Sequence, residues 1–202
     1  MVDLAETITS ILTLLGTASF MIVMALLWSH LDFFKSSKTK NANTLAKVAL
    51  GIVLGLLAIF GTLMGSKLAD GTIINVRELA AMIAGLAGGP VSGVLAGVIG
   101  GVHRYTLYGT TGLPCTISTI LIGIISGLVS TKIAGRWYLV KGAALGFVLE
   151  SAAMGLIVIL VPFSEAVGIV EKIAVPMIAA DTIGLVLWLY LANKWKQPSE
   201  PS

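Results

Sequence analysis

Between Asn75 and Thr106 the chain reads NVRELAAMIAGLAGGPVSGVLAGVIGGVHRYT, and the punctuation of that stretch decides the fold. Gly85, Gly89, Gly93, Gly97 and Gly101 recur every four residues, and Ala81, Ala84, Ala87 and Ala96 keep the surface small. Gly89-Pro90 lies almost midway between Arg77 and Arg104. Proline removes a helical N–H and clashes with the preceding turn, so a helix is expected to break there. The spacing predicts two short helices, from Glu78 to Gly88 and from Val91 to about Val102, that enter an apolar layer and return. A reversal at Gly89 brings both guanidinium groups back to one depth. Twelve residues from Arg77 to Gly89 make about 18 Å of helix, against a hydrocarbon layer of about 30 Å. Either the half-helices stop short of the inner face or the arginines lie below the outer surface. A central arginine costs about 2.5–3.5 kcal/mol on insertion scales, and two neighbours cost more unless an anion or acidic groups lie between them.

The rest of the chain supplies the layer. Of its 202 residues 56% are hydrophobic and 11% charged, and the mean hydropathy is +0.98. A soluble domain carries about 25% charged residues, so this is an integral membrane protein of a size for one compact bundle. No basic n-region or small-residue cleavage site follows Met1, so no removable signal peptide is expected. Beyond the hairpin, apolar runs predict helices from about Ile8 to Phe33, Val48 to Leu63, Pro114 to Ile133, Lys141 to Val161 and Val170 to Trp195. The fold class is an all-α polytopic membrane bundle of about 6–7 spanning or half-spanning helices. Close helix packing is the direct role of most glycines, with Gly51/Gly55, Gly123/Gly127 and Gly142/Gly146 repeating the device.

Charge gives direction. Lys35, Lys38, Lys40 and Lys47 precede the second helix, Lys132, Arg136 and Lys141 fill another connection, and Lys194 and Lys196 follow the last helix. These share one side if the glycine-rich stretch is a hairpin. The positive-inside rule then makes that side cytoplasmic and the N-terminus external. The exceptions, Lys67, Arg77, Arg104 and Lys172, all fall toward the outer half. Lys67 reads as solvated and Lys172 as an interfacial lysine whose stem lies along lipid.

The stretch Thr110-Thr111-Gly112-Leu113-Pro114-Cys115-Thr116-Ile117-Ser118 opens a helix in the same outer half. Proline suits the first helical turn, and free N–H groups at such an end attract carboxylates. Cys115 and Ser118 are three apart and share a face. Alone, Cys115 reads as a small buried hydrophobe and Ser118 as a hydroxyl bonded back to its own helix. Together with Arg77 and Arg104 they suit a small monocarboxylate, since arginine binds carboxylate in bidentate fashion. Asn75 is placed to cap the helix carrying Arg77 or to donate to a ligand, and Thr111 offers a hydroxyl beside it. The arginines have a plainer alternative: reaching to headgroups, or pairing with Glu78, Glu150 or Asp181. The last two are expected to neutralise polar groups within the bundle; a proton path through them would favour transport instead.

The blocks Asn75-Val76-Arg77, Ala84 to Pro90, Gly101-Val102-His103-Arg104-Tyr105 and Cys115 to Ile120 with Gly123 resemble the five-transmembrane receptor family of LytS-type sensor histidine kinases. The resemblance covers about residues 45 to 195. It implies a sensor domain with a cytoplasmic kinase module, a LytTR-type response regulator as partner, and a place in the bacterial or archaeal cytoplasmic membrane. Pyruvate-sensing members bind through positions matching Arg77, Arg104, Cys115 and Ser118. The sequence departs from the family at Leu107-Tyr108-Gly109-Thr110-Thr111, where many relatives have paired glycines. The family is also similar to substrate-binding subunits of energy-coupling-factor transporters, which supplies the rival reading: a subunit for uptake of a small anion, with Gly51/Gly55 as a surface for its energising partner.

The expected organisation is an N-terminal helix and basic loop (1–44), the sensor domain (45–196) and a tail or linker (197–202). The 202 residues hold no kinase signature, no metal-ligand spacing, no catalytic triad and no phosphate-binding loop, so no enzymatic activity or cofactor is expected within them. They read as an isolated sensor module or as the sensor part of a longer protein. Small carboxylates, pyruvate first, and membrane lipids are the expected partners, and nucleic acid is not. Sensor kinases usually act as dimers, but no homodimer interface is legible. Removal of either arginine is expected to abolish most binding with less effect on stability.

Overall fold

The computed structural model describes residues 4–30, 44–67 and 72–194. Among them six helices are long and apolar enough to cross a membrane. These are α1 (Leu4–His30), α2 (Thr44–Leu63), α3 (Arg77–Thr106), α4 (Gly112–Val129), α5 (Tyr138–Leu160) and α6 (Phe163–Lys194). A 3-10 turn, Ser130–Lys132, follows α4. The short strands β1 (Ser66–Lys67) and β2 (Ile73–Ile74) pair antiparallel between α2 and α3. The part of the basic loop at 35–43 and the tail at 195–202 lie outside the described residues.

Helix α3 is a hairpin. Gly89 has φ 77° and ψ −168°, a conformation open to glycine and strained for any residue with a Cβ, and Pro90 supplies no N–H to bridge it. A methyl placed on Gly100 would lie 3.3 Å from Arg77 Cγ. Twenty-three residues of straight helix would hold those positions about 35 Å apart, so the two halves fold back on each other. The second half runs four residues past the expected end, to Thr106.

Small residues set the packing. A methyl on Gly93 would strike the carbonyl of Gly123, and one on Gly123 the carbonyl of Gly93. Gly127 faces Pro90 at the hairpin tip. Thus α3 and α4 meet backbone to backbone. Gly51 and Gly55 lie against Ser92, Leu95 and Ile99, so this pair is spent on joining α2 to the hairpin. Helix α5 packs on α6, and α1 lies along α6. Leu14, Met21, Leu54, Leu79, Met82, Ile83, Ile157 and Leu185 form the dry centre. Elsewhere apolar side chains face outward, Leu12, Phe147, Ile159 and Phe163 among them. Helices apolar on both faces belong in lipid.

Other boundaries also differ from the sequence reading: α1 starts at Leu4, not Ile8, and α5 at Tyr138, not Lys141. Helix α2 starts at Thr44, not Val48. Helix α4 begins at Gly112, so Pro114 is its third residue. Helix α6 starts at Phe163 rather than Val170 and runs through Pro176. Val161 is extended at φ −109° and ψ 147°, as a residue before proline tends to be. The Pro162 carbonyl then accepts from the N–H groups of Glu165 and Ala166, which starts the new helix at once. Polar Ser164 and Glu165 disguised that first turn as loop.

Candidate functional site

Arg77 is the first residue of α3 and Arg104 is near its end, so reversal at Gly89 brings both to one end of the bundle. Both are buried, at 0% and 2% exposure. The helix's N-cap position is Val76, without a side-chain cap; Asn75, expected there, sits one residue earlier, where its Oδ1 accepts the Arg77 backbone N–H at 3.1 Å. Arg77 Nη2 donates to Glu78 Oε1 at 2.5 Å, and Nε donates to Thr119 Oγ1 at 2.8 Å. The Thr119 hydroxyl faces Glu78 Oε1 at 2.9 Å and the Cys115 carbonyl at 2.7 Å, with one proton to give. Arg77 Nη1 has no hydrogen-bond partner in the structure. Of the alternatives left open for Arg77, pairing with Glu78 is therefore realised, and only in part.

Arg104 touches no carboxylate among the described residues. Its Nη1 donates to the Tyr108 carbonyl at 2.7 Å and its Nη2 to Thr111 Oγ1 at 2.8 Å. The segment 107–111 wraps the guanidinium by turning left-handed twice, at Tyr108 (φ 56°) and Gly109 (φ 92°). Tyr108 occupies a conformation that favours glycine, and its ring is exposed.

Helix α4 carries Cys115, Ser118 and Thr119. Arg77 holds Thr119 and Arg104 holds Thr111, one helical turn after and one before Cys115. Ser118 is buried and donates to the Cys115 carbonyl at 3.0 Å, the bond within its own helix that stood as its plainer reading. The free N–H groups expected at this helix end are mostly taken. Gly112 N–H donates to Gly109 O, Cys115 N–H to Thr111 O, and Pro114 has none.

A cavity of about 460 Å³ opens at this end, lined by Thr72, Arg104, Tyr108, Thr111, Glu165 and Lys172 among others. It reaches Arg104 and Thr111, whereas Arg77, Cys115, Ser118 and Asn75 are not among its lining residues. Thr110 Oγ1 donates to Glu165 Oε1 at 2.7 Å, tying the wrapping segment to the first turn of α6. Two of the four cations that broke the orientation pattern, Arg104 and Lys172, line this cavity.

Glu150 on α5 and Asp181 on α6, expected to neutralise polar groups within the bundle, lie against each other; among the described residues no other group donates a hydrogen bond to their four oxygens. With Glu78 they bring ligand oxygens within 4.8 Å of one another, all three buried. The sequence reading also missed Thr119 as the bridge between Arg77 and Glu78. Its signal was available, because Thr119 sits one turn after Cys115 on the same helix face.

Comparison with known proteins agrees with this architecture. The model of the family described as 5TMR of 5TMR-LYT matches residues 31–194. The chain is 34% identical over 186 residues to the sensor histidine kinase BtsS of Escherichia coli K12, covering 89% of this chain and 33% of that protein. It is 32% identical over 191 residues to the sensor histidine kinase YpdA of the same organism, covering 91% and 33%. It is 30% identical over 197 residues to the sensor protein LytS of Bacillus anthracis, covering 89% and 33%. The chain thus spans about a third of the length of these curated relatives. No solved structure matches it.

Proposed function

Since the chain belongs to the 5TMR-LYT family of membrane sensor domains, we propose that it is the ligand-binding membrane part of a LytS-type sensor system and binds a small external carboxylate, pyruvate first. One observation carries the reading: two buried guanidinium groups, from opposite ends of a folded-back hairpin, reach the start of α4 at Thr119 and Thr111, beside a cavity of about 460 Å³. An anion between them relieves their mutual repulsion and gains charge-assisted hydrogen bonds. Arg104 meets the incoming carboxylate, Thr111 holds Arg104 in place, and Cys115 and Arg77 form the deeper side. Ser118 and Asn75 support that side from behind. The basic loops point to a cytoplasmic C-terminus.

Signal passes through α6. This helix contributes Glu165 and Lys172 to the cavity wall, carries Asp181 at the buried acid cluster, and extends to Lys194 at the opposite end. A ligand shifts two states only by its differential affinity for them; here the differential contact is the one between segment 107–111 and the start of α6. A kinase module beyond the chain and a LytTR-type response regulator would complete the pathway.

The test is a thermal-shift screen of small carboxylates on detergent-purified protein, because a ligand bound to the folded state raises apparent stability. A saturable shift with pyruvate, lost in Arg104→Ala, is expected. Absence of a shift with every carboxylate would overturn the reading. An uptake subunit would instead accumulate labelled ligand in vesicles supplied with an energising partner.

A further inference from the structure

We propose that anion binding at this site is coupled to uptake of one proton by the buried carboxylates Glu78, Glu150 and Asp181, so that the ligand enters as the equivalent of a neutral acid. This rests on the anion-binding reading above.

The charge census at the cluster is uneven. Glu78 comes from α3, Glu150 from α5 and Asp181 from α6, with oxygens within 4.8 Å of one another and exposures of 1% or less. Facing them are Arg77 and Arg104 from α3 and the Cys115 thiol and Thr119 hydroxyl from α4. His103, on the last turn of α3, is the remaining titratable group near Arg77. The span 7–27 of α1 has no ionisable side chain, and α2 has only Lys47 in its first turn. Arg77 forms an ion pair with Glu78. Glu78 Oε2 and all four oxygens of Glu150 and Asp181 are without a donor.

Buried carboxylates at such spacing do not all stay ionised; they share protons, as acidic dyads do. A metal ion is the poorer occupant. Hard cations take six or more oxygens, and a guanidinium stands beside this cluster. A proton needs only two facing oxygens.

The pointer to a ligand is independent of the acids. Arg77 is wholly buried, and its Nη1 has no hydrogen-bond partner, although Nη2 of the same guanidinium holds Glu78. An anion that takes this guanidinium in bidentate fashion displaces Glu78. The displaced carboxylate then faces Glu150 and Asp181 with no cation, and a proton from water adds to a carboxylate oxygen. Charge balances: one anion and one proton enter together. If the ligand used Arg104 alone, the Arg77–Glu78 pair would persist and no proton would be taken up.

The experiment is calorimetric titration of purified protein with pyruvate at fixed pH in buffers of different ionisation enthalpy, which yields protons taken up per ligand. About one is expected for the wild type, with Kd weakening about tenfold per pH unit as pH rises, because uptake on binding is opposed by scarcer protons. Glu78→Gln should bind with uptake near zero and a flat Kd. Asp181→Asn, which keeps the Arg77–Glu78 pair, should lower the uptake as well and carries the test if Glu78→Gln fails to fold. His103→Asn should leave uptake unchanged. Pyruvate binding without proton exchange in the wild type would overturn the inference and leave the receptor reading standing. Uptake that vanishes only in His103→Asn would also overturn it. No binding by any small carboxylate would overturn both.

Discussion

Arg77 and Arg104 offer the same guanidinium in different surroundings, and that difference separates their variants. Arg104 is held by a carbonyl and a hydroxyl. Arg104→Ala should therefore cost binding while shifting the melting temperature little. Arg77→Ala strands a buried Glu78 carboxylate, and breaking a buried pair on one side costs about 3–5 kcal/mol. This revises the expectation that stability changes little at both positions. Arg77→Ala should unfold earlier in a thermal melt, and Arg77→Ala/Glu78→Gln should recover much of the loss. Equal melting points for Arg77→Ala and Arg104→Ala would contradict this. At Tyr108 the left-handed backbone costs about 1–2 kcal/mol, so Tyr108→Gly should leave the melting temperature unchanged or raise it; a clear fall would show that the exposed ring contributes more than the strain.

Among the elements, α3 and α4 depend on absent side chains. Gly93→Ala and Gly123→Ala each press a methyl into the facing backbone, and overpacking commonly costs about 1–3 kcal/mol. Both should lower the melting temperature, while Gly155→Ala, with nothing within 4 Å of the added methyl, should not. Similar melts for all three would remove the case for backbone contact. The hairpin itself was readable from Gly89-Pro90, because a proline after a glycine is a local signal. The start of α6 was not readable. Its first turn is polar, and what makes it helical is the Pro162 carbonyl receiving the N–H groups of Glu165 and Ala166. The anion-attracting helix end at Pro114 failed for a similar reason. Segment 107–111 turns back and supplies acceptors that composition does not announce.

For the whole molecule, the positive-inside rule applied to the basic loops and the hairpin topology predicts a cytoplasmic C-terminus. A reporter that fluoresces only after folding in the cytoplasm, fused after Ser202, should be bright; a dark fusion with correct membrane insertion would reverse the orientation. The sequence by itself determined what depends on composition and local chain chemistry: a helical membrane bundle, a break at Gly89-Pro90, and two arginines flanking that break within the apolar stretch. Those follow because lipid admits few backbone forms and because glycine and proline act where they stand. Tertiary structure alone decided which charges meet. Glu78, Glu150 and Asp181 are separated by 72 and 31 residues in the chain, yet their oxygens lie within 4.8 Å. No local preference encodes that distance; it arises when three helices are packed at a fixed rotation, and with it arises the choice of Glu78 as the partner of Arg77.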